Sequence, residues 1–219
     1  MYNQTRSDSL DGGTEAPAIV VIIDDDPLVR GAMDSLFRSV GLRTLTYESA
    51  QDLLDGPMPE GNHCLVVDIR MPQLSGLDFQ TKLAERGDHA PIIFVTGHGD
   101  IPMSVKAMKA GAVDFLAKPF RDQDMLDAVA VALERGRNQR SASQDVAELR
   151  QRYESLTPRE REVMALVSRG LMNKQAAGEL GLQEITVRLH RSSMMRKMGT
   201  RTVVDLARMH DALKRTSHE

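Results

Sequence analysis

The sequence predicts a two-part protein, with a doubly wound α/β domain around a five-stranded parallel sheet and a small all-helical domain after it. Three observations support this prediction. Five short apolar runs alternate with helical patterns over residues 18–135, as in repeated βαβ units. Beyond residue 152 only helical periodicities occur. The charge also changes sign, from 14 Lys and Arg against 21 Asp and Glu in residues 1–140 to 14 against 10 in residues 141–219.

The elements of the first domain follow from its apolar runs and its helix signals. A continuous β-branched run such as residues 19–23 is typical of a strand buried on both faces. Asp26 and Pro27 suit the cap and first turn of the helix that follows. We predict strands at residues 19–23, 42–46, 65–68, 91–95 and 113–117. The intervening helices are predicted from Pro27 to just before Gly41, and at residues 50–54, 77–86 and 102–110.

A long helical pattern begins at Asp122, and it carries two apolar stripes that are one residue out of phase. Between the stripes, residues 136–143 have no apolar periodicity. Two interpretations remain open, a helical linker with a weak centre and two helices joined by a solvated loop. The predicted organisation is a disordered tail at 1–17, the α/β domain at 18–135, a linker at 136–151 and the helical domain at 152–217.

The helical domain has the signals of a helix-turn-helix. Thr157 and Glu160 have the spacing of a capping box, with a proline between them at the first helical position. Asn173 is expected to cap a short helix that ends at Gly181. A longer helix is predicted at residues 185–198 and a closing helix at residues 203–213. A short helix, a glycine turn and a longer basic helix together make the motif.

Composition narrows the class of protein. The chain has no run of 18 apolar residues and no apolar segment typical of a signal peptide near Met1, so we expect a cytoplasmic protein. Cys64 is the single cysteine, which excludes an internal disulfide and fits a reducing compartment. No Cys and His spacing suggests a zinc site.

Polar side chains stand at the ends of four predicted strands. They are Asp24 and Asp25, Asp68, Thr96, and Lys118. Because the carboxyl ends of parallel strands share one edge of a sheet, these groups are expected to converge. Carboxylates packed together need a compensating cation, and an all-oxygen site suits Mg²⁺. A lysine and a threonine can bind phosphoryl oxygens, and an aspartate can accept a phosphoryl group.

The motifs around these strand ends resemble the receiver domain of bacterial two-component response regulators. The matching stretches are residues 23–26, 67–72 with 75–76, 95–99, and 115 with 118–120. The string from 95 to 120 is similar to the FixJ and StyR branch, whose output domain is of the NarL and LuxR type. This resemblance covers about residues 18–135.

The resemblance implies a role for each strand-end residue. Asp68 would be the phosphoacceptor, forming a 4-aspartylphosphate. Asp24, Asp25, Asp68 and the backbone carbonyl of Arg70 would hold Mg²⁺.

Thr96 and Lys118 would bind the phosphoryl group, and Phe115 would turn inward as the switch residue. That movement would alter the face formed by the fourth helix, fifth strand and fifth helix, where Val105 and Lys109 are candidate dimer contacts. The resemblance also implies a cis peptide bond before Pro119.

Residues 183–201 hold five basic side chains against one acid, Glu184, a density that suits contacts to DNA phosphates. Three stretches, 156–163, 170 with 173–174, and 186–190, resemble the LuxR-type DNA-binding domain. This second resemblance covers about residues 152–216. It implies base contacts from Arg188, Leu189 and Ser192, and phosphate contacts from Lys174, Thr186, Arg191 and Arg196.

Two further positions of this domain carry expectations. His190 is expected to pack within its helix. Ala176-Ala177 departs from the Ile-Ala pair that is usual in this type of domain, and it reduces the core volume where the helices cross.

The leading hypothesis is a phosphorylation-controlled, sequence-specific transcription factor that is not an enzyme. Its expected partners are a sensor histidine kinase, double-stranded promoter DNA, a second copy of the chain and RNA polymerase. One alternative is an aspartyl-phosphate phosphohydrolase of the haloacid dehalogenase kind, with Asp24 as nucleophile in an Asp-x-Asp motif with Asp26. Another alternative is a regulator that binds DNA without phosphorylation.

Overall fold

The computed structural model describes residues 17–97 and 101–215. The chain forms two compact units that divide between residues 138 and 139, within the predicted linker. The predicted disordered tail falls mainly on residues 1–16, which lie outside the described residues.

The first unit is built on a five-stranded, all-parallel sheet in the order β2-β1-β3-β4-β5, which confirms the predicted fold class. Its strands are β1 (Ile19–Ile23), β2 (Arg43–Tyr47), β3 (His63–Asp68), β4 (Ile92–Thr96) and β5 (Asp114–Ala117). The strand order reverses between β1 and β3, and in open α/β sheets ligands bind outside the carboxyl ends of strands at such a switch point.

Helices cover both faces of this sheet. They are α1 (Pro27–Ser39), α2 (Ala50–Asp55), α3 (Gly76–Glu85), α4 (Ile101–Lys109) and α5, which begins at Asp122. On one face Met33 and Phe37 of α1 and Met125 and Val129 of α5 pack against the sheet. The opposite face packs against α2, α3 and α4. Because both faces are covered, the central strands β1, β3 and β4 are apolar between their ends, as their sequences predict.

Cys64 lies on β3 within the core shared with α1 and α5, and it is fully buried. Burial disfavours the thiolate and raises the pKa of the Cys64 thiol to about 12.

Helix α5 runs from Asp122 to Glu154 without a break, so the alternative of two helices joined by a loop is wrong. Residues 137–145 of this helix are exposed, which explains their lack of an apolar stripe. A polar stretch without proline satisfies its backbone within the helix and needs no packed face to do so.

The second unit contains α6 (Pro158–Ser168), α7 (Asn173–Leu180), α8 (Glu184–Met198) and α9 (Val203–Arg215). Its core includes Val163, Met164, Val187, Met194 and Leu206. The predicted capping box is present, and a left-handed glycine at position 181 makes the turn between α7 and α8.

One predicted cap in this unit is wrong. Asn173 is the first residue of α7, and Met172 occupies the N-cap position. The side chain of Gln175 accepts a hydrogen bond from the Met172 N–H at 2.8 Å, which pairs the N–H of the N-cap residue itself. The side chain of Asn173 is therefore available to contact another helix.

Over the described residues, 17–97 and 101–215, none of the helices combines the length and apolar character that crossing a membrane requires.

Candidate functional site

The carboxyl edge of the sheet brings the predicted strand-end residues together. The register pairs Ile23 with Val67, so Asp24, which directly follows β1, lies beside Asp68, the last residue of β3. Thr96 ends β4, and Lys118 directly follows β5. Asp24 and Thr96 are fully buried and Asp68 is 7% exposed, so this edge contains a desolvated polar cluster.

Lys118 joins the two buried carboxylates. Its Nζ lies 2.6 Å from Asp24 Oδ2 and 2.9 Å from Asp68 Oδ2. The other oxygen of each carboxylate accepts a backbone hydrogen bond, Asp24 Oδ1 from the Asp26 N–H at 3.0 Å and Asp68 Oδ1 from the Arg70 N–H at 3.1 Å. The two acids are therefore held in fixed orientations by one lysine and two loops.

The charges of this cluster do not balance. Burial raises the pKa of Asp24 above its ordinary value, although the hydrogen bonds from Lys118 and the Asp26 N–H partly oppose the rise. Burial alone would lower the pKa of Lys118, but its hydrogen bonds to Asp24 and Asp68 raise it above its ordinary value. A site of this kind favours an added cation.

Three carboxylates have the arrangement that a divalent cation needs. One oxygen from each of Asp24, Asp25 and Asp68 lies within 4.8 Å of the others, and Asp25 is exposed. Hard oxygen donors with an opening to solvent fit Mg²⁺, which keeps several of its waters. The residues present therefore fit the metal that the sequence predicts.

The loop after Asp68 requires a glycine at position 76. A Cβ there would lie 2.7 Å from the backbone oxygen of Asp68 and 3.0 Å from the Cα of Ile69. The Gly76 N–H donates to the Ile69 carbonyl at 3.0 Å, which closes the loop against the strand end. The close approach of two backbone segments thus fixes where the Asp68 carboxylate stands.

Arg30 is one contact of this site that sequence reasoning missed. Its Nη1 donates to the backbone carbonyl of Asp24 at 2.5 Å. The only sequence signal is its position in α1, four residues after the Asp26 cap. That position indicates which side of α1 carries Arg30, but it does not predict the hydrogen bond to the Asp24 carbonyl.

Two features on β5 and its following loop agree with the resemblance. Phe115 is half-buried and packs against the core on the α4 side of the sheet. The Lys118–Pro119 peptide bond is cis. In the motif at residues 95–99, His98 and Gly99 lie outside the described residues.

The Asp-x-Asp alternative gains no support from the geometry. Asp26 is exposed, and its Oδ1 accepts the Leu28 N–H at 2.8 Å as the cap of α1. Among the described residues, the acidic cluster consists of Asp24, Asp25 and Asp68 and does not include Asp26.

In the second unit, the residues predicted to contact DNA divide by exposure. Those that are exposed are Lys174, Arg188, Leu189, Ser192 and Arg196, whereas Thr186 and Arg191 are partly buried. The opposite side of α8 is buried in the core through Val187, Met194 and Met198. His190 is half-buried. The helix therefore has one packed side and one exposed side.

Arg191 makes a contact between the two helices of the motif. Its Nη1 donates to the side-chain oxygen of Asn173 at 2.8 Å, at the start of α7. The guanidinium is thus held near the N-terminal end of α7, where unpaired backbone N–H groups favour anions.

A doubly wound sheet with an acid and lysine cluster at its switch point, followed by a helix-turn-helix, defines a receiver joined to a DNA-binding output domain. Comparisons with known proteins agree. The model described as "Response regulator receiver domain" matches residues 20–130, and "Bacterial regulatory proteins, luxR family" matches residues 154–210.

Relatives match over nearly their full length. Nodulation protein W of Bradyrhizobium diazoefficiens is 55% identical over 92% of this chain and 90% of its own. The response regulator TodT of Pseudomonas putida is 47% identical over 92% of this chain and 88% of its own. The structure of the response regulator StyR has a TM-score of 0.81 at 44% identity, covering 90% of this chain and 99% of that one.

The chain therefore belongs to the bacterial response regulators with a LuxR-type output domain, the branch that includes FixJ and StyR. It is a two-component transcription regulator.

Proposed function

We propose that Asp68 accepts a phosphoryl group from a sensor histidine kinase, and that this event controls the binding of promoter DNA through α8. A carboxylate oxygen of Asp68 would attack phosphorus, forming a P–O bond as the P–N bond to the kinase histidine breaks. The observation that carries the proposal is the convergence of Asp24, Asp68 and Lys118 at the switch point of the sheet.

The neighbouring residues have chemistry that suits this transfer. Asp24, Asp25, Asp68 and the backbone carbonyl of Arg70 would hold Mg²⁺. When bound, Mg²⁺ neutralises charge on the transferring oxygens. Lys118 already lies 2.9 Å from Asp68, so its ammonium is positioned to pair with an oxygen of the incoming group. Thr96, at the end of the adjacent strand, would bind another oxygen and couple it to Phe115.

DNA binding would use the exposed side of α8. Arg188, Leu189 and Ser192 would contact base edges in the major groove. Lys174, Thr186, Arg191 and Arg196 would contact phosphates, which supply affinity without sequence information.

Dimerisation through the face of α4, β5 and α5 would link the two events. Val105 of α4 is 44% exposed and Met108 is 45% exposed, so apolar surface is available there. Two paired copies would present two recognition helices to two half-sites, and linked binding would raise the affinity. A promoter-bound dimer could then contact RNA polymerase.

The test is intact mass after incubation with acetyl phosphate and Mg²⁺, with size-exclusion chromatography on the same samples. The wild type is expected to gain one phosphoryl group and shift toward dimer, and Asp68→Asn to do neither. Asp26→Asn is the matched control, because Asp26 is an exposed cap outside the cluster, and it should label like the wild type.

Equal labelling of the wild type and Asp68→Asn would contradict the assignment of the acceptor and make Asp24 the next candidate. Labelling without a change of assembly would retain Asp68 and remove dimerisation as the output. Full DNA binding by an unlabelled protein would favour a regulator that works without phosphorylation.

A further inference from the structure

Two basic side chains connect the end of α5 with the C-terminal end of α8, and both lie within the second unit. Arg152 Nη1 donates to the backbone carbonyl of Met198 at 3.2 Å. In the other direction, Lys197 Nζ donates to the backbone carbonyl of Ser155 at 3.1 Å. Each helix thus supplies a cation to carbonyls at the end of the other, where the helix dipole is negative.

Lys197 is also neutralised by a buried acid. Its Nζ lies 2.7 Å from Glu160 Oε2, and Glu160 is only 3% exposed. The same oxygen accepts the Thr157 N–H at 2.8 Å in the capping box of α6. Burial by itself would raise the pKa of Glu160, but the hydrogen bonds from Lys197, Ser193 and Thr157 lower it to about 2. Lys197 is therefore paired with an acid that stays ionised at neutral pH.

Arg152 is held from a second side. Its Nη2 lies 2.6 Å from Glu148 Oε1, one turn earlier in α5. Its guanidinium occupies the space beside Gly199, where a Cβ would lie 2.5 Å from Nη1. Gly199 has φ of 70°, so a side chain there would be strained and would displace the arginine.

The last turns of α5 also pack on the helical core. Leu149 and Tyr153 contact the cluster formed by α6 to α9. Arg161 of α6 lies over the ring of Tyr153 at 5.2 Å and donates to the Glu154 carbonyl at 3.0 Å. The end of α5 is thus a structural part of the unit that carries α8.

We propose that Lys197, Glu160 and Arg152 are positioning residues, which set the orientation of α8 against the end of α5 and so its ability to read bases. This proposal rests on the proposed function of α8 in binding DNA. It separates Lys197 from its neighbour Arg196, which is exposed and is proposed to contact phosphate.

The two roles differ in what they do to DNA binding. A phosphate contact strengthens binding to every sequence and steepens its dependence on salt. Base contacts depend on the angle at which the helix enters the groove. A hydrogen bond to a base edge tolerates a displacement of only a few tenths of an ångström between donor and acceptor. Loss of a positioning residue should therefore weaken specific binding and leave non-specific binding and its salt dependence unchanged.

The experiment uses the full-length chain and two DNA probes, a duplex that the wild type selects from a random pool and a duplex of scrambled sequence. Affinity for each is measured over a series of salt concentrations. Lys197→Met is expected to lose about tenfold on the selected duplex, the loss of one good base contact, and less than about twofold on the scrambled one. The matched control Arg196→Met should lose affinity equally on both, with the salt slope reduced by about one.

Arg152→Met provides a second variant, because it leaves no buried acid without a partner and is expected to fold even if Lys197→Met does not. It should show the same selective loss as Lys197→Met. Melting curves establish that each variant is folded at the temperature of measurement. A merely structural role would lower the melting temperature and leave the selectivity of the folded protein unchanged.

Two results would overturn the proposal. Equal losses on both duplexes with a reduced salt slope would make Lys197 a phosphate contact, and unchanged selectivity in both variants would remove the positioning role. If the wild type selects no sequence, the proposed function fails instead. In that case the positioning role is tested by hydrogen exchange. Arg152→Met should speed exchange at the C-terminal turn of α8, and unchanged exchange would refute the positioning role.

Discussion

Each unit of this protein contains a buried carboxylate paired with a lysine at almost the same distance. Lys118 lies 2.6 Å from Asp24 in the first unit, and Lys197 lies 2.7 Å from Glu160 in the second. The pKa values of the two acids nevertheless move in opposite directions, upward for Asp24 and down to about 2 for Glu160.

Burial is the largest cause of the raised pKa of Asp24, and the charge of Asp68 adds to it, whereas at Glu160 the hydrogen bonds together outweigh burial. Lys118 is shared with Asp68 at 2.9 Å, so two acids compete for one cation. Glu160 has a lysine to itself and also accepts hydrogen bonds from Ser193 and the Thr157 N–H. A buried pair with balanced charge is costly to break from one side only, whereas a buried site with an excess of acid is suited to bind a cation or phosphoryl group.

The largest expected effect comes from removing each lysine. In the presence of a chelator, Lys118→Met and Lys197→Met should each lower the free energy of unfolding of their unit by about 3–5 kcal/mol, because a buried carboxylate loses its cation. Millimolar Mg²⁺ should restore part of the loss in Lys118→Met only, since three carboxylates still converge there.

The measurement is urea unfolding with and without Mg²⁺, with hydrogen exchange reporting each unit separately. An equal response of the two variants to Mg²⁺ would show that the acidic cluster of the first unit has no special affinity for the metal.

Removing the acid instead should give effects of opposite sign. Asp24→Asn relieves the excess of acid and leaves Asp68 with Lys118, so the free energy of unfolding in chelator should rise by about 1 kcal/mol. Glu160→Gln breaks a balanced pair and should lower it by about 1–3 kcal/mol. Both free energies of unfolding are measured by denaturant titration. Destabilisation by Asp24→Asn would contradict the interpretation that the first unit has an excess of buried acid.

Lowering the pH should reduce the stability that the pair of Glu160 and Lys197 gives to the second unit. The pKa of Glu160 is about 2 in the folded protein against 4.5 for the free side chain, so the unfolded chain binds the proton first as the pH falls. The stability due to Glu160 is complete above about pH 4.5 and is lost progressively toward pH 2. NMR signals of α6 and α8 should show a smaller loss of stability in Glu160→Gln than in the wild type over this window. Parallel curves would refute the lowered pKa.

The smallest effect on stability is expected at the exposed side of α8. Leu189 is 66% exposed, so Leu189→Ala should change the free energy of unfolding by less than about 0.5 kcal/mol. It should change the base preference of DNA selected from a random pool and leave the salt slope unchanged. An unaltered preference would remove Leu189 from the set of base contacts.

The sequence predicted the sheet and the members of the acidic site because both depend on local patterns. Apolar runs such as residues 19–23 mark buried strands, and parallel strands bring their ends to one edge. The predicted helix capping at Thr157 and Glu160 is likewise a short-range pattern and is confirmed. Strand ends differ from the prediction by one residue at β2 and by two at the start of β3, because hydrogen bonding and not composition sets the limit.

Contacts between residues that are distant in the chain could not be predicted from the sequence. Arg152 meets Met198 and Lys197 meets Glu160 only because the helices cross at that point. Asn173 was predicted to cap α7 because asparagine favours that position, yet Gln175 satisfies the preceding N–H and leaves Asn173 to bind Arg191. Helix propensity describes the preference of an isolated residue, and here tertiary packing overrides that preference.

The buried thiol of Cys64 has a practical consequence for all of these measurements. With its pKa raised to about 12 and no exposed surface, it is inert toward thiol reagents in the folded state. Because Cys64 is the single cysteine of the chain, any covalent labelling reports opening of the sheet that contains β3. The rate of labelling at Cys64 therefore gives the frequency with which the first unit opens, provided that the reagent reacts faster than the unit recloses.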